Sequence, residues 1–301
     1  MTYELQLSQF GSVRQLINEH SPQFPISLAI IEGKIPGKVW VDNLENPKSC
    51  LIASNFVFTF LAGKPDENTF KEFLNILQKE PRPFNRKLEC PADFNPDFLK
   101  PEFLKKIASQ ELQTSKRHQF LYPKEQKPTI TEIPKEFKLE PITANSFAQT
   151  QWGKPAFEPT YGTVANYIQN TLSFCLHHEG KIIGELHGMV GGNYVLLGGI
   201  ALPEYRRQHL GWMGCNYFVD ACRKQGKEPV YTCDVSNIAS HGLAEKSGFH
   251  RDIEYSIIIL PATLLPAQLS TSSSAIFKTT TSSSTTSTTS GNNNQPPTKS
   301  T

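Results

Sequence analysis

A chain of 301 residues with 38% hydrophobic and 19% charged residues has apolar material for one full core and, at this length, for two. Its formal net charge of +2, with both signs interspersed, excludes the broad basic field that nucleic-acid binding needs. No apolar run approaches the roughly 20 residues of a membrane span, and the six cysteines form no C-x-x-C pair, which argues against structural zinc.

In chain order, the pattern predicts a short helix over Ser12 to Asn18 and strands over Ile26–Glu32, Lys38–Asp42, Ser49–Ser54 and Val57–Leu61. The amphipathic stretch Glu67–Gln78 then reads as a helix. A proline-rich passage follows, and Pro123, Pro128, Pro134 and Pro141 punctuate a polar connector. Irregular structure and a boundary near residues 135 to 145 are expected there, dividing an N-terminal α/β unit (1–140) from a second domain (141–262). From residue 263 the composition turns to Ser, Thr, Asn and Pro, which cannot bury enough apolar area to order itself, so a disordered tail is expected over 263–301.

The second domain carries the chemistry. Tyr194 to Leu202 is an apolar, β-branched run bounded by Gly191-Gly192-Asn193 and Pro203, hence a buried strand. Arg206, Arg207 and Gln208 follow, and Leu210, Met213, Tyr217 and Ala221 then fall on one helical face that ends near Gly226. Unpaired N–H groups at that helix start, its dipole and two arginines form a cradle for a diphosphate, and Gly211 lets a ligand approach the backbone. Pro229 to Val235 reads as another strand, with Asn237 capping a helix from Ala239 to Lys246 that Gly248 terminates.

These residues resemble the GNAT superfamily of N-acetyltransferases. Its turn R/Q-x-x-G-x-G/A aligns with Arg206-Arg207-Gln208-His209-Leu210-Gly211, and its N-x-x-S…L-x-x-x-x-G-F pattern with Asn237, Ser240, Leu243, Gly248 and Phe249. The resemblance is nearest to bacterial members with a long N-terminal half and to glycine N-acyltransferases, which share the LPEYR turn and PVY strand. It implies a mixed, mostly antiparallel α/β sheet flanked by helices, with a second, degenerate GNAT-like half at the N-terminus. It also implies acetyl-CoA as co-substrate and a small-molecule or peptide amine as acceptor. In three places the chain departs from the family pattern. His209 stands at the first glycine of the turn, Ala244 where a tyrosine acid is common, and Val195 where a glutamate base is common.

On the resemblance, Arg206, Arg207, Gln208, His209, Leu210, Gly211 and Trp212 would hold the diphosphate end, with Asn237 and Ser240 beside it. Backbone N–H groups around Ile200 and Leu202 are expected to hold the thioester oxygen and the pantetheine arm, a task needing no particular side chain. An alkylamine is almost wholly protonated at neutral pH, so a base is wanted. Glu185 and His187 alternate onto one face of the preceding strand and are the candidates, although they also read as ordinary polar positions on a solvent side. A two-residue Gly191-Gly192 hairpin turn would aim them away from the Val195 side, and a three-residue turn toward it. Cys233 and Asp234 end the next strand, readable as nucleophile and amine-orienting carboxylate or as a buried thiol and a turn residue. His177 and His178 precede a Glu179-Gly180 turn and read as exposed. The expected activity is acetyl transfer to an amine by direct attack in a ternary complex, without a metal, in the cytoplasm. The alternatives are a glycine-type acyltransferase taking a larger acyl group and a coenzyme-binding protein without catalysis. No G-x-G-x-x-G follows a candidate strand, so a nicotinamide-dependent dehydrogenase is disfavoured.

Overall fold

The computed structural model describes residues 1 to 263, and the tail expected to be disordered lies outside the described residues from 264 onward. The N-terminal stretch supplies β1 (Tyr3–Glu4), α1 (Phe24–Ile31), β2 (Gly37–Val41), β3 (Ser49–Ser54), β4 (Phe58–Gly63), α2 (Glu67–Lys79), β5 (Arg86–Glu89), α3 (Pro101–Ile107) and β6 (Gln113–Leu121). The remainder supplies β7 (Phe137–Pro141), α4 (Ala144–Gln149), α5 (Gly153–Tyr161), α6 (Val164–Asn170), β8 (Thr171–His178), β9 (Lys181–Gly191) and β10 (Tyr194–Ala201). After these come α7 (Leu210–Lys224), β11 (Glu228–Asp234), α8 (Ile238–Lys246) and β12 (His250–Leu260).

The twelve strands of the described residues join one sheet, ordered β1-β2-β3-β4-β5-β12-β6-β11-β10-β9-β8-β7. Two neighbouring pairs, β4 with β5 and β10 with β11, are parallel, and the others are antiparallel. Counted inward from each edge, the two ends of the sheet therefore repeat one motif: a four-strand antiparallel run, a parallel partner and a final antiparallel strand. Each end receives that final strand from the other part of the chain, β12 against β5 and β6 against β11. The sheet crosses the point near residue 140 without interruption. The structure thus carries the mixed, mostly antiparallel sheet with a repeated N-terminal half that the motifs imply.

The apolar pattern fixes the layers. One face of the sheet packs α2 and α3 through Phe70, Phe73, Leu74 and Leu77, and α7 through Phe218, Val219 and Cys222. The opposite face packs α1, α4, α5 and α6, with Phe147, Phe157 and Tyr167 fully enclosed. Burying four large side chains on α2 contributes about 1.5–3 kcal/mol each, and Asp66 caps its first turn through the Thr69 N–H at 2.8 Å.

The expected strand at Ile26–Glu32 is a helix. Every residue of α1 is buried, and an apolar run interrupted only by Ser27 carries no period to separate strand from helix. Pro25 in the first turn, where no N–H is needed, and Gly33 at φ +71° just past the end decide for helix. The helix expected at Ser12–Asn18 is instead a 3-10 segment, Leu7–Leu16. The stretch read as proline-rich and polar contains β5, α3 and the central strand β6.

Candidate active site

The β10 and β11 strands pair from Tyr194 with Glu228 to Leu197 with Tyr231, and then part. β10 runs on to Ala201 against β9 alone, while β11 runs on to Asp234 against β6. In the antiparallel β9–β10 ladder the Leu202 N–H donates to Ile183 O at 2.9 Å, and Ile200 lies opposite Glu185. Residues of such a ladder alternate between facing the partner and facing away. Leu202 and Ile200 are therefore committed to β9, and the backbone groups open to the gap are those of Gly199 and the N–H of Ala201, whose carbonyl accepts from Arg206. The register corrects the expected pair by one residue, because sequence shows a strand but not which side each peptide faces. A small apolar crevice adjoins this stretch, bordered by Gly184, Ala201, Tyr205, Leu210, Gly211 and Met213.

Beyond Ala201 the chain makes a short 3-10 turn (Pro203–Tyr205) and enters α7. Arg206 donates through Nε to Ala201 O at 3.0 Å, which anchors the turn to the strand end. Arg207 and His209 are left-handed, at φ 62° and 59°. Left-handed residues in such a turn let successive N–H groups face one concavity, the backbone form of an anion cradle. His209 thus keeps the glycine-like backbone that its position in the motif demands, at a cost of about 1–2 kcal/mol. Its ring Nδ1 lies 3.0 Å from Lys246 Nζ, which is also 5.8 Å from the centre of the Trp212 ring. Trp212 in turn donates through Nε1 to Lys246 O at 3.0 Å. Sequence reading missed Lys246, since it ends α8 and reaches the turn only through packing against α7. Gln208 is exposed, Leu210 is buried under the helix, and a Cβ on Gly211 would meet Leu243 of α8 at 3.6 Å. Asn237 caps α8 through the Ser240 N–H at 3.1 Å, and Ser240 Oγ lies 2.7 Å from Tyr231 OH.

The N-terminal counterpart of this corner does not repeat it. After β4 the chain enters α2 behind Asp66 and Glu67, and the Asp66 carboxylate already occupies the first turn. A diphosphate would meet like charge there.

Glu185 and His187 share the face opposite α7, because the hairpin turn has two residues, Gly192 and Asn193. They are enclosed rather than solvent-facing, with His187 fully buried and Glu185 at 3% exposure. Glu185 accepts from the Gln151 N–H (2.7 Å) and the Gly153 N–H (2.7 Å), so it closes the N-terminus of α5. His187 Nε2 is 3.0 Å from the same carboxylate, and Tyr167 OH is 2.7 Å from His187 Nδ1. Burial alone would raise the Glu185 carboxyl, but His187 and the two N–H groups hold it below the usual carboxylate range. Burial pushes His187 down despite Glu185. The Tyr167 phenol, raised by burial, keeps its proton and donates to Nδ1, leaving the Nε2 proton for Glu185.

A neutral buried imidazole makes stability depend on pH. The unfolded ring binds its proton near pH 6.5 and the folded one at lower pH, so this contribution is complete above about 6.5 and is lost as pH falls. The slope for one such ring approaches 1.4 kcal/mol per pH unit, about the maximum for a single proton. Urea midpoints between pH 8 and 5 are expected to fall below 6.5, and less steeply in His187→Gln. A profile with equal slopes for parent and variant would contradict the neutral, sequestered ring.

At the end of β11 the structure assembles a polar group that sequence reading touched only at Asp234. Arg117 on β6 donates to Asp234 Oδ1 at 2.9 Å and Thr232 Oγ1 at 3.2 Å, and its Nε is 3.2 Å from Tyr255 OH. Lys87 Nζ is 3.9 Å from Asp234 Oδ2. Glu89, fully buried, accepts from the Gln23 side chain. Cys233 is buried on the other face, where burial raises its thiol and keeps it protonated. His178 pairs with Tyr205 OH at 3.1 Å and is half-buried. Among the described residues no group of three or more His, Cys, Asp or Glu side chains is arranged to hold a metal ion.

A family model described as GNAT acetyltransferase matches residues 14–258. The chain belongs to the GNAT acetyltransferase family. An uncharacterized N-acetyltransferase of Bacillus subtilis, YdfB, is 26% identical over 258 residues, spanning 84% of this chain and 97% of that protein. A GCN5-related N-acetyltransferase-like protein from Streptococcus suis superposes with a TM-score of 0.63 at 19% identity, covering 83% of this chain and 98% of its own. A tandem GNAT protein from the clavulanic acid biosynthesis pathway does so with 0.57 at 11% identity, covering 88% and 99%. Such low identities speak for the fold alone, and the fold they share is the doubled GNAT sheet. Family membership makes this chain an acyltransferase.

Proposed function

We propose that this GNAT protein transfers the acetyl group of acetyl-coenzyme A to an amine by direct attack in a ternary complex. The observation that carries the reading is the parting of β10 and β11 after Leu197, beside a left-handed turn at the start of α7. The residues fit such a ligand. Gly199 sits where β10 has left β11, and the space a Cβ would take is filled by Leu186 at 3.1 Å, so its backbone rather than a side chain faces the gap. When bound, the coenzyme supplies a thioester carbonyl activated toward amines. The Gly199 backbone groups and the Ala201 N–H are available to align the pantetheine amides and polarise the acyl oxygen, while Ala201 O is taken by Arg206. Arg207, Lys246 and the N–H groups of Leu210, Gly211 and Trp212 receive the diphosphate, with Asn237 and Ser240 at the neighbouring helix start.

We read Glu185 and His187 as supports of α5, which walls the acceptor side, and the N-terminal half as the opposite wall. Six buried free cysteines support a reducing compartment such as the cytoplasm, and no described helix is long and apolar enough to cross a membrane.

Calorimetric titration of acetyl-CoA into the full chain tests the reading, with micromolar binding expected. Arg207→Ala and Lys246→Ala should each weaken it by about 1–3 kcal/mol, the range for a charge-assisted phosphate contact. Absence of binding overturns the donor site, and unchanged affinity in both variants overturns those two roles.

A further inference from the structure

From the open end of β11 we infer that Asp234 receives the acceptor as a protonated primary amine and relays its proton to solvent. This rests on the coenzyme lying in the β10–β11 gap.

The sheet itself dictates the side of approach. α7 and α8 cover one face of the gap and carry the phosphate turn, so an acceptor must arrive from the face of α1 and α4–α6. On that face Trp152 stands over Gly198, where a Cβ would come within 2.9 Å of its ring, and Ile200 is 43% exposed. Asp234 stands three residues along β11 from the point of parting, as Ile200 does along β10. The Asp234 side chain points to this same face, since it pairs in register with Arg117, whose partners Tyr255 and Glu89 lie there.

Among the carboxylates on this face, two others are already committed. Glu89 is fully buried and Glu185 is consumed by α5 and His187. Asp234 retains 38% side-chain exposure. Its Oδ1 is fixed by Arg117, whereas Oδ2 lies 3.9 Å from Lys87 Nζ, beyond hydrogen-bond length, and keeps its accepting capacity. Arg117 is the positioning residue: its Nη2 and Nε are tied to Thr232 and Tyr255, so the carboxylate is held on a rigid fork.

The chemistry balances without further reactants. The ammonium donates to Oδ2, one N–H proton passes to the carboxylate and leaves to water at its exposed edge. The freed lone pair forms the C–N bond to the thioester carbon, the C–S bond breaks, and the sulfur takes the surplus amide proton to leave as thiol.

The test uses the full chain. Acetyl-CoA affinity is measured first; if none is found, the donor reading fails before any amine is added, and this inference falls with it. With affinity established, n-butylamine, tryptamine and spermidine are offered at pH 8 and free thiol release is followed, alongside n-butylammonium titration into the coenzyme complex by NMR. Expected is turnover or binding of at least one amine. Asp234→Asn should lower kcat/KM for it by about 100-fold and raise KM, leaving the acetyl-CoA Kd within about twofold. Asp234→Glu should regain part of the loss. Full kcat/KM in Asp234→Asn overturns the proposal. So does a coenzyme complex that neither binds nor uses any of the three amines, and so does a loss confined to acetyl-CoA affinity.

Discussion

Replacing Glu185 with alanine is expected to destabilise the protein by about 3–5 kcal/mol, the usual cost of removing one partner from a buried charged network. The carboxylate satisfies the Gln151 and Gly153 N–H groups at the start of α5 and the His187 ring together. With 3% exposure, no water reaches the vacated position without rearrangement, so three donors, the two N–H groups and the His187 Nε2–H, lose their acceptor. Glu185→Gln keeps one acceptor oxygen but turns an amide against an N–H or the imidazole, and an intermediate loss of about 1–3 kcal/mol is expected. Urea denaturation with acetyl-CoA titration of the folded fraction separates structure from chemistry. A Glu185→Ala protein within about 1 kcal/mol of the parent, yet unable to transfer acetyl groups, would restore Glu185 as a base and sink the structural assignment.

The two positions show where a sequence stops being informative. That Glu185 and His187 share a face followed from strand alternation alone. Whether that face met solvent or three helices depended on α4–α6, folded from a stretch with Pro155 and Pro159 that carries little period of its own. The motif turn and both flanking helices were legible because their signals are local: a left-handed requirement, a cap, a glycine stop. α1 was illegible because eight consecutive buried residues have no polar face to mark a period. β6 was illegible for the opposite reason. Its Arg117, His118 and Gln119 look like connector residues, yet all three are buried beside partners more than 90 residues away, Asp234, Glu254 and Gln23 among them. The register that frees Gly199 rather than Ile200 is likewise a property of the ladder, not of either residue.

Arg117→Met follows from that last class of contact and should rival Glu185→Ala in cost. Arg117 is 8% exposed at the strand exchange, where β6 lies between β11 and β12, and it joins Asp234, Thr232 and Tyr255 across three strands. Methionine fills much of the volume but leaves Glu89, fully buried, without the stronger of the two cations, Arg117 and Lys87, that offset its burial. About 3–5 kcal/mol should be lost near neutral pH. The loss has a sign in pH. Burial already raises the Glu89 carboxyl, with Arg117 pulling it back down, so removing Arg117 raises it further. A folded-state pKa above the unfolded one means that stability is fully present below the unfolded value, about 4.3, and is lost as pH rises through the folded value. The penalty of Arg117→Met should therefore be smaller at pH 5 than at pH 7.5, and adding Glu89→Gln should recover part of it at the higher pH. Urea midpoints for parent, single and double variants at both pH values decide this. A penalty that is equal at both, or a double variant less stable than Arg117→Met at pH 7.5, would mean that Arg117 holds the exchanged strands by packing rather than by charge.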